Sequence, residues 1–131
     1  MTENLKNRKQ MTEKELQNKV AKFLKSQPRT WFFKVWGGGY QKAGIPDIIC
    51  CVNGLFIALE LKSDAGKPTA LQRINISRIN AAGGLGIVLY PSGFETFKKL
   101  VEEVNLCSIP TAKLNVLRNV PISSILDTSK G

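Results

Sequence analysis

The apolar positions Leu16, Val20, Phe23 and Leu24 recur at helical spacing and form one stripe, the pattern of a helix with a single buried face. Ahead of them Thr12-Glu13-Lys14-Glu15 fits a capping box, in which a threonine hydroxyl and a glutamate carboxylate satisfy each other's backbone donors, and Ser26-Gln27-Pro28 stops the helix. Residues 30–36 alternate and are rich in aromatics, which predicts a strand, and Gly37-Gly38-Gly39 ends it in a loop with no side chains to hold another backbone away. Two apolar runs, 48–52 and 55–61, flank Asn53-Gly54, the strongest two-residue hairpin signal. After Gly66-Lys67-Pro68 the spacing predicts a helix over 69–82, closed by Gly83-Gly84. A short apolar strand over 85–90 and a helix with Phe94, Phe97, Leu100, Val101 and Val104 on one face complete the order α-β-β-β-α-β-α. Ser92-Gly93-Phe94-Glu95 is a second capping-box pattern at the head of that last helix. The fold class expected is α/β, a mixed central sheet flanked by helices. Residues 113–118 read weakly as a further strand.

The hairpin places the charged residues. With Asn53-Gly54 as the two loop residues, Val52 faces Leu55 and Asp47 lies opposite Glu60. Opposed residues project to the same face with Cβ atoms about 5 Å apart, and side chains alternate with period two, so Lys62 joins Asp47 and Glu60 on one side. That face also carries Ile49, Cys51, Phe56 and Ala58, and the other carries Ile48, Cys50, Val52, Leu55, Ile57, Leu59 and Leu61; both are expected to be buried. Two carboxylates at one end of a buried hairpin repel unless a cation lies between them. A hard divalent ion suits the place, because Mg²⁺ is held by one or two carboxylates and keeps open positions for water and phosphate. The plainer alternative is a set of strand-end charges paired with Lys62.

Composition narrows the chemistry. The 131 residues are the size of one domain, and 43% apolar with 22% charged residues excludes both a membrane protein and a wholly disordered chain. Residues 1–11 carry only Met1, Leu5 and Met11 as apolar groups, so a mobile basic arm is expected before a folded unit over 12–104 and a C-terminal extension over 105–131. A net charge of +9 favours a polyanionic partner, nucleic acid or an acidic membrane surface. The chain has no histidine, which removes imidazole bases and most catalytic zinc sites, so chemistry must rest on carboxylates and lysine. Cys50, Cys51 and Cys107 show no CxxC spacing and read as core thiols of a cytoplasmic protein. No apolar run approaches the ~18 residues of a membrane span.

Gly44-Ile45-Pro46-Asp47, then Glu60-Leu61-Lys62, then Gln72 on the next helix, resemble the signature of the PD-(D/E)XK nuclease superfamily, and more narrowly the stand-alone VRR-NUC domains of phages and bacteria. The resemblance spans roughly residues 12–104. It implies a restriction-endonuclease-like core that binds Mg²⁺ or Mn²⁺ through Asp47, Glu60 and the Leu61 carbonyl, with Lys62 orienting or helping to deprotonate the attacking water. It further implies that Glu15 is the helix glutamate that reaches the metal directly or through water. Gln72, which a helical wheel sets between Ile76 and Ile79 and turns inward, would order the site.

The function expected is therefore a metal-dependent endodeoxyribonuclease. The resemblance favours branched DNA such as four-way junctions, cut by a homodimer because symmetric cleavage needs two sites related by a twofold axis. Neither a small-molecule cofactor nor a membrane is expected. Lys42, Lys67, Arg73 and Arg78 are the candidate phosphate contacts, and the 37–39 glycines with Tyr40 and Lys34 could approach a backbone. Trp31 and Trp36 are expected in the core or a subunit contact. The alternative is a non-catalytic basic module that only holds nucleic acid, against which the intact Asp47, Glu60 and Lys62 set argues.

Overall fold

The structure, a computed structural model, describes residues 10–35 and 43–107. The basic arm up to residue 9, Trp36, the 37–39 glycines, Tyr40, Lys42 and the weak strand over 113–118 lie outside the described residues.

Helix α1 (Glu13–Ser26) starts where Thr12 caps it, the hydroxyl accepting the Glu15 N–H at 3.1 Å. Its stripe of Leu16, Val20 and Leu24 is fully buried, and Phe23 is half-buried edge-on against Phe94 and Phe97. Strands β1 (Thr30–Lys34), β2 (Ile48–Val52), β3 (Leu55–Leu61) and β4 (Leu85–Leu89) form one sheet in chain order. The first two junctions are antiparallel and β3–β4 is parallel. The parallel pair requires a crossover, which α2 (Ala70–Ala81) supplies. The mixed α/β sheet flanked by helices is thus as the pattern predicts.

The hairpin register is the predicted one: Val52 pairs with Leu55 and Ile48 with Leu59, around Asn53 and Gly54 at φ 48° and 87°. Two positive φ values are what a type I′ turn demands, which explains why Asn-Gly fixes the register. One face of the sheet carries Ile48, Cys50, Val52, Ile57, Leu59 and Leu61 into a core shared with α1 and α3 (Phe94–Leu106). Burial pushes the Cys50 thiol up to about 12, so it stays a neutral core group. Cys51 and Cys107, by contrast, are exposed, because Cys51 points to the opposite sheet face and Cys107 lies just beyond α3.

That opposite face is covered unevenly. Helix α2 lies so close over β4 that a Cβ on Gly86 would come within 2.9 Å of the Ile76 carbonyl. Ala58 is buried and Ile49 half-buried, but Phe56 and Cys51 are exposed, as are Trp31 and Phe33 on β1, so the expectation of two buried faces holds for only one. Trp31 at 65% exposure is no core residue.

The last helix also differs. A 3₁₀ turn over Pro91–Gly93 precedes it, Gly93 is its cap and no side chain caps it, so the Ser92 box does not form. It runs two residues past 104, and Asn53 of the hairpin turn donates to the carbonyls of Val104 and Cys107, both at 2.9 Å. No helix among the described residues is long and apolar enough to cross a membrane.

Gly44 shows why the segment before Asp47 has its composition. It sits at φ +83°, and a Cβ there would meet Leu71 Cγ at 2.6 Å and Asn75 Nδ2 at 2.9 Å, while Asn75 donates to the Gly44 carbonyl at 2.8 Å. Gly83 has a similar φ of +92° but nothing within 4 Å. Gly83→Ala should therefore cost only backbone strain, about 1 kcal/mol, whereas Gly44→Ala adds steric overlap and should cost about 2–4 kcal/mol. Equal losses in chemical denaturation would contradict the close approach of α2 to this segment.

Candidate active site

Asp47 stands just before β2, where the ladder changes partners. A hydrogen-bonded residue in an antiparallel pair sends its N–H and its C=O to the same neighbour. At Asp47 they part: its N–H donates to the Leu59 carbonyl and its carbonyl accepts from the Val35 N–H, both at 2.8 Å. The Asp47 carboxylate fills the gap this leaves on β3, Oδ2 accepting from the Leu61 N–H at 2.7 Å. One carboxylate oxygen is thereby fixed by the sheet itself.

Glu60, next to Leu61, is 2% exposed. Its Oε1 lies 3.5 Å from Lys62 Nζ, and its buried Oε2 has no hydrogen-bond partner within the structure. Burial first, and then the Asp47 carboxylate, raise the Glu60 carboxyl to about 7 despite the opposing pull of Lys62. The sequence-predicted trio of Asp47, Glu60 and Lys62 is thus brought together at one end of the hairpin.

A cleft of about 320 Å³ opens beside them, lined by Asp47 and Leu61 from the sheet and by Glu13, Lys14 and Gln17 from the first turns of α1. The α1 glutamate that lines this cleft is Glu13, whose Oε1 lies 4.0 Å from Lys62 Nζ. Glu15 is exposed and does not line the cleft; its backbone N–H serves the cap. Glu13 and Gln17 are one turn apart, outside the stripe of Leu16, Val20 and Leu24, and that spacing is the sequence signal that could have found them. Lys14 lines the same opening.

Gln72 has another position. Its Oε1 accepts the Thr69 N–H at 2.8 Å and its N–H donates to the Thr69 hydroxyl at 3.2 Å, a full capping box at the head of α2. The structure therefore gives Gln72 a capping bond where the sequence reading gave it a site-ordering one. Arg73 is exposed and donates to the Pro68 carbonyl at 3.0 Å, and Lys67 and Arg78 are exposed.

The donor set fits a hard divalent cation. Glu60 carries a buried carboxyl oxygen without a hydrogen-bond partner, Asp47 is a second carboxylate beside it, and Asp47 and Leu61 line the cleft. Among the described residues no group of three or more His, Cys, Asp or Glu is arranged to hold a metal, so a cation here would rest on two carboxylates and keep water in its other positions. No protein-family profile matches the chain, and no curated protein or solved structure is significantly similar to it.

The raised Glu60 carboxyl has a measurable effect on stability. Between pH 4.5, its ordinary value, and about 7, the folded chain holds a proton that the unfolded chain has released. Metal-free stability should therefore fall as pH rises through this window and level off above it, by on the order of 2–3 kcal/mol. Glu60→Gln should flatten the fall. Denaturant midpoints of both proteins across the window check this, and a wild-type midpoint that rises with pH in a way Glu60→Gln leaves unchanged would contradict it.

Proposed function

We propose that the chain is a Mg²⁺- or Mn²⁺-dependent endonuclease of the PD-(D/E)XK type, close to the stand-alone VRR-NUC domains, which hydrolyses DNA phosphodiesters. The observation that carries the reading is the buried Glu60 carboxylate, one oxygen unpartnered, held against Asp47 with Lys62 beside it. A carboxylate taken out of water beside a second carboxylate is costly unless a counter-charge compensates it, and Lys62 alone faces two acidic groups.

In this reading Asp47, Glu60 and the Leu61 carbonyl would hold the ion. Bound there, it supplies Lewis acidity and an activated water at neutral pH, which a chain without histidine needs. Lys62, 3.5 Å from Glu60, holds an ammonium where negative charge develops on the phosphate and orients the attacking water. Glu13, 4.0 Å from Lys62 at the cleft, takes in this reading the place expected of Glu15. The Leu61 N–H fixes the Asp47 carboxylate before any ligand arrives, so little reorganisation is needed on binding.

The net charge of +9 supports a polyanionic substrate, and a site that cuts one strand supports a twofold homodimer on branched DNA. A cytoplasmic setting agrees with the free Cys50, Cys51 and Cys107.

Cleavage of junction, single-stranded and supercoiled DNA in Mg²⁺, Mn²⁺ or EDTA tests the proposal. Asp47→Asn and Glu60→Gln should lower turnover at least about 100-fold while DNA binding in EDTA is kept or tightened, and Lys62→Ala should lose turnover without losing metal affinity. Glu13→Gln should cost activity and Glu15→Gln little. DNA binding with no metal-dependent cleavage by the wild type would leave the non-catalytic binding module instead.

A further inference from the structure

The sheet face opposite the core is aromatic where α2 does not reach. The register places Trp31, Cys51 and Phe56 in one row across the sheet, and Phe33, Ile49 and Ala58 in the next. Trp31 is 65% exposed and Phe33 and Phe56 are each 44% exposed, and the Trp31 and Phe33 rings lie 5.4 Å apart at 54°. Rows two residues apart are about 7 Å from each other along the strands. The Phe33 row is thus one step from Asp47 and Glu60, and the Trp31 row two steps.

Between this face and α2 lies a groove of about 320 Å³ with Ile45, Pro46, Ile49 and Ile79 as apolar walls and Asn75 and Arg78 at its polar side. Its Ile45-Pro46 wall leads in the chain directly into Asp47. An exposed aromatic platform, a groove with one guanidinium and the proposed phosphodiester site beside them match the parts of an unpaired DNA strand: bases that stack, and phosphates that follow the cations.

We infer that this face, with the groove beside it, binds unpaired nucleotides of the DNA substrate, their bases stacked on Trp31, Phe33 and Phe56. The inference rests on the nucleic-acid reading above and adds what that reading lacks, a surface that distinguishes single-stranded from duplex segments next to the scissile bond. Charge points to this occupant, because a chain at +9 attracts a polyanion and Arg78 sets a guanidinium at the groove where its phosphates would run. Stacking on an exposed ring also explains why aromatics occupy alternate positions of an edge strand that the core does not use.

The test uses the full chain carrying Trp36→Phe, which leaves Trp31 as the single tryptophan. In EDTA, so that no cleavage intervenes, an oligothymidine of about 12 nucleotides should quench Trp31 fluorescence to saturation, and a duplex of equal length should not. By anisotropy of the labelled oligonucleotide, Trp31→Ala should weaken single-strand binding about tenfold and change duplex binding less than about twofold, and Trp31→Tyr should restore most of the loss. The unchanged duplex affinity doubles as the check that the variant is folded. Absence of quenching, or equal loss on both ligands, would overturn the inference. So would sedimentation showing that Trp31→Ala turns a dimer into a monomer, which would make the face a subunit interface. Because only binding is read, a failure here leaves the cleavage experiment standing, and a chain that binds but never cleaves leaves this surface intact.

Discussion

The repulsion between two carboxylates that the hairpin forces together is the constraint on which the site depends. Asp47 and Glu60 come together where the hairpin ladder ends, in the register that the Asn-Gly turn sets, and Glu60 is buried with β4 paired to it on one side. Buried beside a like charge, an ionised glutamate is costly, and Lys62 offsets only part of that cost, as the carboxyl's rise to about 7 shows. The end of the sheet therefore favours a proton on Glu60, and in the proposed reading a bound cation would take that proton's place. Much of the surrounding structure keeps it so: the Leu61 N–H pins Asp47, the Gly44 conformation brings the Asp47 segment against α2, and the first turn of α1 brings Glu13 to Lys62.

The same arrangement explains the shape of the fold around it. The parallel β3–β4 pair extends the sheet beyond Glu60, with the Lys62 N–H donating to the Leu89 carbonyl at 3.0 Å, so the lysine's backbone is as fixed as the aspartate's. Helices α1 and α3 close the core face, and α2 closes only the part of the other face over β3 and β4. What remains open is an aromatic surface leading to the site.

How much of this could be read from the chain depends on what each signal measures. Turn chemistry and a period of two fix a register, so the pairing of Ile48 with Leu59 through Val52 with Leu55 follows from the chain alone and brings Asp47 near Glu60. The Asp47 N–H, however, bonds to Leu59, and the ladder ends before the two carboxylates face each other. The phase of a helix relative to a sheet is set by packing, and for that reason Glu13 and Glu15, both in the first turn of α1, could not be told apart by their distance to a motif. Gln72 was drawn inward by a helical wheel, but the wheel says nothing of Thr69 three residues earlier, whose box claims the glutamine's amide. Alternating apolar residues mark two faces of a strand without saying which is covered. Cys51 and Phe56 are thus expected to be buried and Trp31 to lie in the core or a subunit contact, and only the position of α2 shows them exposed.

The central claim, that Asp47 and Glu60 form a cation site in which metal displaces a proton, is open to calorimetry. Mn²⁺ or Mg²⁺ would be titrated into the protein just below the pH at which Glu60 ionises, in two buffers of different ionisation enthalpy. The account predicts saturable binding whose heat depends on the buffer, reporting a proton released from Glu60. In Glu60→Gln the account predicts weakened binding without that dependence. Saturable binding with no proton release, or binding unchanged in Glu60→Gln, would contradict it.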